Sequence, residues 1–198
     1  PDDASIYVDR GQIFAQIGDK DQALASYARA LELDPTNVNA YYNRARFYEQ
    51  TSQPDLALAD YSKVIELEPT NASAYNSRGN IYQQHGKTDL ARADYSKAIE
   101  LDPKLSSAYS NRAGLEQSGA SSQATIDDYT QVIALDPKNA SAYNSRGNAY
   151  SELGKSAEAI ADYTKAIELD PKLISAYNNR AHLLSDKGDY NGAVADYT

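Results

Sequence analysis

Three residue types are absent from this sequence, and each absence excludes something. No Cys occurs among the 198 residues, so disulfides, thiolate nucleophiles and Cys-ligated zinc are excluded, and the redox compartment is left open. No Met occurs, even at the first position, which predicts that these residues are a piece of a longer chain. Trp is also missing, and the aromatic residues are seventeen Tyr and two Phe. With a hydrophobic content of 41%, the chain is nonetheless expected to fold.

Positive charge is scarce, and long hydrophobic runs are missing. The net charge is −9 and the pI is near 4.7, and Lys and Arg stand singly along the chain. A nucleic-acid surface needs clustered Lys and Arg, so a nucleic-acid partner is not expected. The apolar stretches are only a few residues long, which argues against membrane insertion, and no signal-peptide pattern begins the chain. These features leave open whether the compartment is cytoplasmic or extracellular.

A period of thirty-four residues organises what is present. Proline keeps this step without an insertion, at Pro35, Pro69, Pro103, Pro137 and Pro171. Two Tyr series and one Arg series, which start at Tyr7, Tyr27 and Arg10, keep the same step. Self-similarity at a fixed period is typical of repeat architectures. The sequence therefore predicts one repeat array with units at 4–37, 38–71, 72–105, 106–139 and 140–173, and an incomplete unit at 174–198.

Each unit is predicted to contain two helices joined by a short turn. Apolar residues recur at three- and four-residue steps, which is the stripe of an amphipathic helix. Gly86 then provides a helix stop, and Pro103 ends the second stripe because it cannot continue a helix. Asn71 stands where an N-cap belongs, as do Asn37 and Asn139 in other units. Each unit is therefore predicted to be a helical hairpin.

The pattern of small and aromatic residues resembles the tetratricopeptide repeat family across essentially the whole chain. In the third unit the matching residues are Tyr75, Gly79, Tyr82, Ala91, Tyr95, Ala98 and Pro103. The resemblance implies an all-α fold, an α-solenoid of about six 34-residue hairpins in a right-handed superhelix. The fourth unit departs at Glu116 and Thr125 and has a polar stretch at 117–123. This hairpin is expected to be the loosest and the first to open.

The heptapeptide AYNSRGN occurs twice, at 74–80 and 142–148. The surrounding segments 71–105 and 139–173 are identical at twenty-six of thirty-five positions, which indicates that a two-hairpin block was duplicated. A single hairpin cannot bury its apolar face alone, but it can do so against an equal neighbour. Identical residues are therefore expected wherever the same two helix faces must pack against each other.

The candidate catalytic and ligand motifs are weak. The stretches at 86–88 (GKT) and 154–156 (GKS) lack the earlier Gly of a phosphate-binding loop and end a predicted helix. His85 and His182 have no second ligand at metal spacing. Carboxylates recur at equal places in several units, whereas an active site needs one unique constellation. We therefore expect no catalytic residue, no cofactor, no metal and no enzymatic activity.

An Arg at position 7 of every unit stands where the family usually has Leu, and an Asp stands at position 23 of units two to six. Each Arg is predicted to bond an Asp of its own or of an adjacent hairpin, which would fix the packing register. The alternative is an Arg stem along the core edge with its head in water. The residues are Arg44, Asp60, Arg78, Asp94, Arg112, Asp128, Arg146, Asp162, Arg180 and Asp196.

The resemblance also implies a concave groove lined by the first helix of each hairpin. The Lys and Arg with which some family members hold an acidic C-terminal peptide are missing from the corresponding positions. An Asn ladder occupies the groove instead and could bond the backbone of an extended peptide, or be a hydrated face without a ligand. The candidates are Asn43, Asn76, Asn80, Asn111, Asn144, Asn148, Asn178 and Asn179.

Two functions and one modification follow as expectations. The preferred function is a non-catalytic protein–protein interaction scaffold that holds an extended peptide or partner protein in a polar groove. The alternative is a structural module that stacks head-to-tail into a rod or fibre, in which the chain would associate with itself. The sequons at Asn71 and Asn139 allow N-glycosylation in an extracellular setting, although helix capping explains both residues.

Overall fold

The computed structural model describes residues 3–116 and 123–198. Helices are the regular elements of these ranges, so the predicted all-α fold is confirmed. The helices are α1 (Ala4–Gln16), α2 (Lys20–Leu33), α3 (Val38–Gln50), α4 (Pro54–Leu67), α5 (Ala72–Gln84), α6 (Thr88–Leu101), α7 (Ser106–Glu116), α8 (Gln123–Leu135), α9 (Ala140–Glu152), α10 (Ser156–Leu169), α11 (Ile174–Asp186) and α12 (Tyr190–Asp196).

Local chemistry explains where the helices begin and end. Asn71 Oδ1 accepts a hydrogen bond from the backbone N–H of Ala74 at 3.0 Å, which satisfies one open donor at the start of α5. After α5, Gly86 adopts a positive φ of +68°, a conformation that costs other residues more than glycine. Its N–H then donates to the carbonyl of Gln83 at 3.0 Å. This arrangement turns the chain into α6 within a few residues.

The chain divides into two compact units, residues 1–102 and 103–198. The first contains α1–α6 and the second α7–α12, so each contains three hairpins. The two helices of a hairpin pack on each other, and within a unit the second helix also packs on the first helix of the next hairpin. First helices of neighbouring hairpins touch as well, α1 with α3 and α9 with α11.

Small residues and tyrosine rings build the interior of each hairpin. In the second hairpin, Ala57, Tyr61 and Val64 of α4 are fully buried. In the third, Tyr95 lies directly on Gly79, where an added Cβ would come within 2.7 Å of the ring. Gly11 and Gly147 meet Tyr27 and Tyr163 in the same way. Odd hairpins therefore need glycine at position 8, whereas even hairpins have alanine there.

The looser fourth hairpin predicted from Glu116 and the stretch 117–123 falls largely outside the described residues. Thr125 is described, and it is buried at 1% exposure although it replaces the usual alanine.

Candidate functional site

The predicted ligand residues lie on the first helix of each hairpin. We call the side of α3, α5, α7, α9 and α11 that carries these Asn residues the amide face, and each compact unit has its own part of it. Asn43, Asn76, Asn111 and Asn144 are half-buried, whereas Asn178 is exposed. Asn43 Nδ2 donates to the carbonyl of Asn39 at 2.8 Å, which orients its Oδ1 atom away from that carbonyl.

Two of the candidate asparagines, Asn80 and Asn148, also serve the core. Tyr95 Oη donates to Gln83 Oε1 at 2.7 Å and lies 2.9 Å from Asn80 Oδ1. Tyr163 Oη donates to Asn148 Oδ1 at 2.9 Å. Burial raises the pKa of the Tyr163 hydroxyl to about 12 and also raises the pKa of Tyr95. A buried phenol needs a hydrogen-bond partner, and these amides provide it.

Three amides of the second compact unit form a cluster between α9 and α11. Asn179 Nδ2 donates to Asn148 Oδ1 at 2.9 Å and lies 3.3 Å from Asn144 Oδ1. Because Asn148 Oδ1 accepts from both Asn179 and Tyr163, the cluster connects the amide face to the core. The sequence indicated these asparagines as ligand groups only. Their contact with tyrosine was signalled by the pairing of Asn with a preceding Gly at 79–80 and 147–148.

The structure brings every predicted Arg–Asp pair together within its own hairpin. In each, the Arg Nε and Nη2 atoms donate to the two carboxylate oxygens, and the Nε–Oδ2 distances are 2.7–2.8 Å. The Asp side chains are 6–9% exposed and the Arg side chains 16–28%. The hydrogen bonds to Asp raise the pKa of Arg44, Arg78, Arg146 and Arg180. Such fork-to-carboxylate pairs fix orientation as well as contributing energy.

The Nη1 atoms of Arg78, Arg146 and Arg180 reach the preceding hairpin, a contact that sequence reasoning missed. Nη1 of Arg78 donates to Ser62 Oγ at 3.2 Å, and Arg180 reaches Thr164 Oγ1 at 2.9 Å in the same way. A hydroxyl residue at position 25, two places after each Asp, was the available signal. The guanidinium of Arg78 also lies 5.7 and 5.8 Å from the ring centroids of Tyr75 and Tyr82, within cation–π range. One Arg thus joins three helices.

The two sequon asparagines act as helix caps. Asn139 Oδ1 accepts from the backbone N–H of Ala142 at 2.9 Å, as Asn71 does for α5. Asn71 Nδ2, the atom that a glycan would modify, also donates to Glu68 Oε2 at 2.8 Å. Glycosylation of either residue stays a prediction.

Within residues 3–116 and 123–198, His, Asp and Glu side chains do not gather in a group of three that could hold a metal ion. In the same ranges, none of the helices combines the length and the apolar character that crossing a membrane requires.

Solved structures similar to this chain have the same architecture. MamA is 28% identical, with 85% of this chain and 92% of that chain covered and a TM-score of 0.76. PilF of Pseudomonas aeruginosa is 18% identical, with 98% and 88% covered and a TM-score of 0.80. YrrB, described as a TPR protein with an unusual peptide-binding site, is 23% identical, with 88% and 90% covered and a TM-score of 0.73. The latter two likenesses concern the fold alone.

Repeat-family models match along much of the sequence, although no curated protein matches it. A model described as "Tetratricopeptide repeat" matches residues 72–105 and 140–173, and another of that description matches 162–195. A model described as "TPR repeat" matches residues 11–52, 48–86 and 123–154, which is more than half of the chain. The chain therefore belongs to the tetratricopeptide repeat family of helical-repeat, protein-binding scaffolds.

Proposed function

We propose that this chain is a non-catalytic scaffold that holds an extended peptide, or an extended segment of a partner protein, on its amide face. The observation that carries the proposal is the repetition of one polar register, with Asn76 and Asn80 in one compact unit and Asn144 and Asn148 in the other. Each amide provides two donors and an acceptor, as the backbone of an extended peptide requires. A row of repeated amides can bond a ligand whose own hydrogen-bonding groups repeat, as those of a peptide backbone do.

The surroundings of these amides support binding without chemistry. The arginines at position 7 of units two to six have their Nε and Nη2 atoms bonded to Asp. Three of the hydroxyls at position 25 that could serve as nucleophiles, those of Ser62, Thr130 and Thr164, receive bonds from these arginines. An enzyme needs a base next to its nucleophile, and an arginine that stays protonated cannot be that base. The fold of YrrB, which is described with a peptide-binding site, agrees with peptide binding by such a scaffold.

Position 5 offers a variant that changes the face without changing the core. Asn76→Ala with Asn144→Ala removes two half-buried amides, one of which accepts a long bond from Asn179, but leaves Asn80 and Asn148 beside the hydroxyls of Tyr95 and Tyr163. The matched control is Gln22→Ala with Gln131→Ala, which removes two exposed amides from the second helices α2 and α8. Circular dichroism and the urea midpoint establish that both variants fold.

The experiment is affinity selection from an equimolar pool of synthetic nine-residue peptides, with the retained peptides identified by mass spectrometry and their Kd values measured by fluorescence anisotropy. Each lost hydrogen bond is worth about 1 kcal/mol, so the Asn variant should bind retained peptides roughly ten-fold more weakly or worse. The control variant should bind them as the original chain does. Retention of no peptide, or equal binding by the original chain and the Asn variant, would contradict the proposal.

Head-to-tail stacking into a rod or fibre stays a prediction. Sedimentation velocity of the chain over a range of concentrations tests it, since a stacking module would form concentration-dependent species larger than the monomer.

A further inference from the structure

The first-helix face carries one basic residue at its ligand-facing positions. The resemblance described above implies that positions 2, 5, 6, 9, 12 and 13 of each unit line the groove. Arg46, at position 9 of the second unit, is the only Lys or Arg among these positions in the sequence. Its side chain is exposed and forms no ion pair with a described residue, although the Glu49 carboxylate on the same helix is close enough to feel its charge. Arg44, two residues earlier on α3, is by contrast held by Asp60 at 2.7 Å. Arg46 therefore keeps its donors available for a ligand.

Arg46 stands at a cavity of about 270 Å³ between α1 and α3. Beneath the cavity lie the rings of Tyr27 and Phe47, which are 2% and 4% exposed and whose centroids are 6.4 Å apart. The remaining polar side chains of the wall are all carboxamides, each with two N–H donors. They are Gln12, Gln16, Asn43 and Gln50.

A second cavity, of about 260 Å³, continues along the same two helices and shares Gln12 and Asn43 with the first. Its wall includes Asp9 instead of Arg46. We call the two cavities together the Arg46 cleft. One end of the cleft thus carries a positive charge, the other a negative charge, and amides lie between them.

We propose that the Arg46 cleft is the subsite that fixes the position of a bound peptide by taking one carboxylate at Arg46. The inference rests on the proposed function, because it assigns a charge preference to one place on the peptide-binding face. A guanidinium binds a carboxylate through two parallel hydrogen bonds, and neighbouring amide N–H groups supply further donors. The apolar rings below reduce the hydration of the bound pair and so strengthen its attraction.

The charge distribution limits this preference to a single acidic group. The chain has a net charge of −9 and repels strongly acidic peptides at a distance. Asp9 also disfavours a second carboxylate at the other end of the cleft. Elsewhere the amide face offers hydrogen bonds that any sequence can use, so the Arg46 cleft is where the register of a peptide is selected.

A carboxylate can come from an Asp or Glu side chain or from the C-terminus of the peptide. The test uses the full chain and the nine-residue pool described above, synthesised in two halves that end in a free carboxylate or in an amide. Arg46→Gln removes the charge, and Arg46→Lys keeps the charge but loses the fork. The matched control is Arg29→Gln, which removes an equal charge from an exposed position on α2 that pairs with Glu32.

The original chain and the Arg29→Gln variant should both enrich peptides with a carboxylate at one fixed place. The Arg46→Gln variant should still retain peptides, but the preference for the acid over its amide should fall about ten-fold, as expected for a charged hydrogen bond. Arg46→Lys should lie between the two. Enrichment confined to the free-acid half assigns the C-terminus, and enrichment in the amide half assigns a side chain.

Two outcomes would contradict the Arg46 subsite but not the proposed function. In one, the original chain retains peptides with no preference for a carboxylate; in the other, Arg46→Gln keeps that preference unchanged. Retention of no peptide by any variant overturns the proposed function and the Arg46 subsite together.

Discussion

Arg78 and Asp94 are joined by two parallel hydrogen bonds, Nε to Oδ2 at 2.8 Å and Nη2 to Oδ1 at 2.9 Å. The pair connects α5 to α6, and the remaining Nη1 atom connects it to Ser62 of α4 at 3.2 Å. Asp94 is 6% exposed and is the only carboxylate that the structure pairs with Arg78 among the described residues. The pair therefore fixes how two successive hairpins meet.

The substitution Asp94→Ala should destabilise the chain by about 2 kcal/mol, because it leaves the half-buried guanidinium of Arg78 with only Ser62, two tyrosine rings and water around it. The free energy of unfolding, measured by urea denaturation with far-UV circular dichroism, provides the check.

A paired replacement separates the value of the contact from the cost of leaving one partner alone. Arg78→Leu with Asp94→Leu removes both charges and should recover most of the loss, since hydrophobic pairs often replace buried ion pairs at little cost. If the double variant is no more stable than Asp94→Ala, the destabilisation does not come from the orphaned arginine.

The contact between Gly79 and Tyr95 predicts that alanine at position 79 destabilises the chain, although helix propensity alone favours alanine over glycine. Gly79→Ala places a Cβ 2.7 Å from the Tyr95 ring and should destabilise by about 1–3 kcal/mol through overpacking. Gly114→Ala on α7 meets nothing within 4 Å and should stabilise by up to about 1 kcal/mol because alanine is the better helix former. The urea midpoints of the two variants measure this difference. If both midpoints move in the same direction, the ring contact does not determine the effect of the substitution.

The raised pKa of Glu49 predicts that the stability of the folded chain depends on pH. Burial raises the pKa of Glu49 above its ordinary value of 4.5, against smaller opposite effects of the hydrogen bond from Tyr61 and of the Arg46 charge. The folded state then holds the proton more tightly than the unfolded state, so stability present below pH 4.5 is lost as pH rises through the folded pKa.

The substitution Glu49→Gln removes this loss while its amide oxygen can still accept from Tyr61. Its stability relative to the original chain should therefore increase between about pH 4 and pH 7. Glu66→Gln, at an exposed surface pair with Lys63, is the control and should show little such trend. Urea denaturation across this range measures both, and a flat difference for Glu49→Gln would contradict the account.

The Asn139 cap predicts a difference between two substitutions. Asn139→Ala removes the acceptor for the Ala142 N–H and should cost about 1 kcal/mol, whereas Asn139→Asp keeps an oxygen there and should cost much less. Both changes abolish the sequon, so the comparison isolates capping from glycosylation. Thermal and urea unfolding of unglycosylated protein measure the difference, and equal losses would exclude the cap as the cause.

The hairpin architecture could be predicted from the sequence because it depends on local rules repeated many times. Gly86 and Asn71 mark helix ends by backbone preferences that act within a few residues. The Arg78–Asp94 pair could be anticipated for a related reason, since both residue types recur at fixed positions. The resemblance to a known family then supplied the arrangement of the hairpins.

Contacts that depend on the exact packing of two helices could not be predicted in this way. The ring of Tyr95 lies on Gly79 and its hydroxyl reaches Asn80, across fifteen residues of chain. Tyr61 occupies the same position in its hairpin, but it packs in a cluster with Ala45 and Tyr42. Its hydroxyl bonds Glu49. Both hydroxyls bond the side chain at position 12, which is Glu49 in one hairpin and Gln83 in the other. Only the ring contact with position 8 depends on whether that residue has a Cβ.

The amide face is tested most directly by NMR of the side-chain NH₂ groups during titration with the tightest peptide from the pool. The account predicts that the signals of Asn76, Asn144 and Asn178 shift with the bound fraction, while the Arg Nε signals of the buried Arg–Asp pairs stay in place. Shifts confined to residues of the second helices, with unchanged Asn signals, would contradict it.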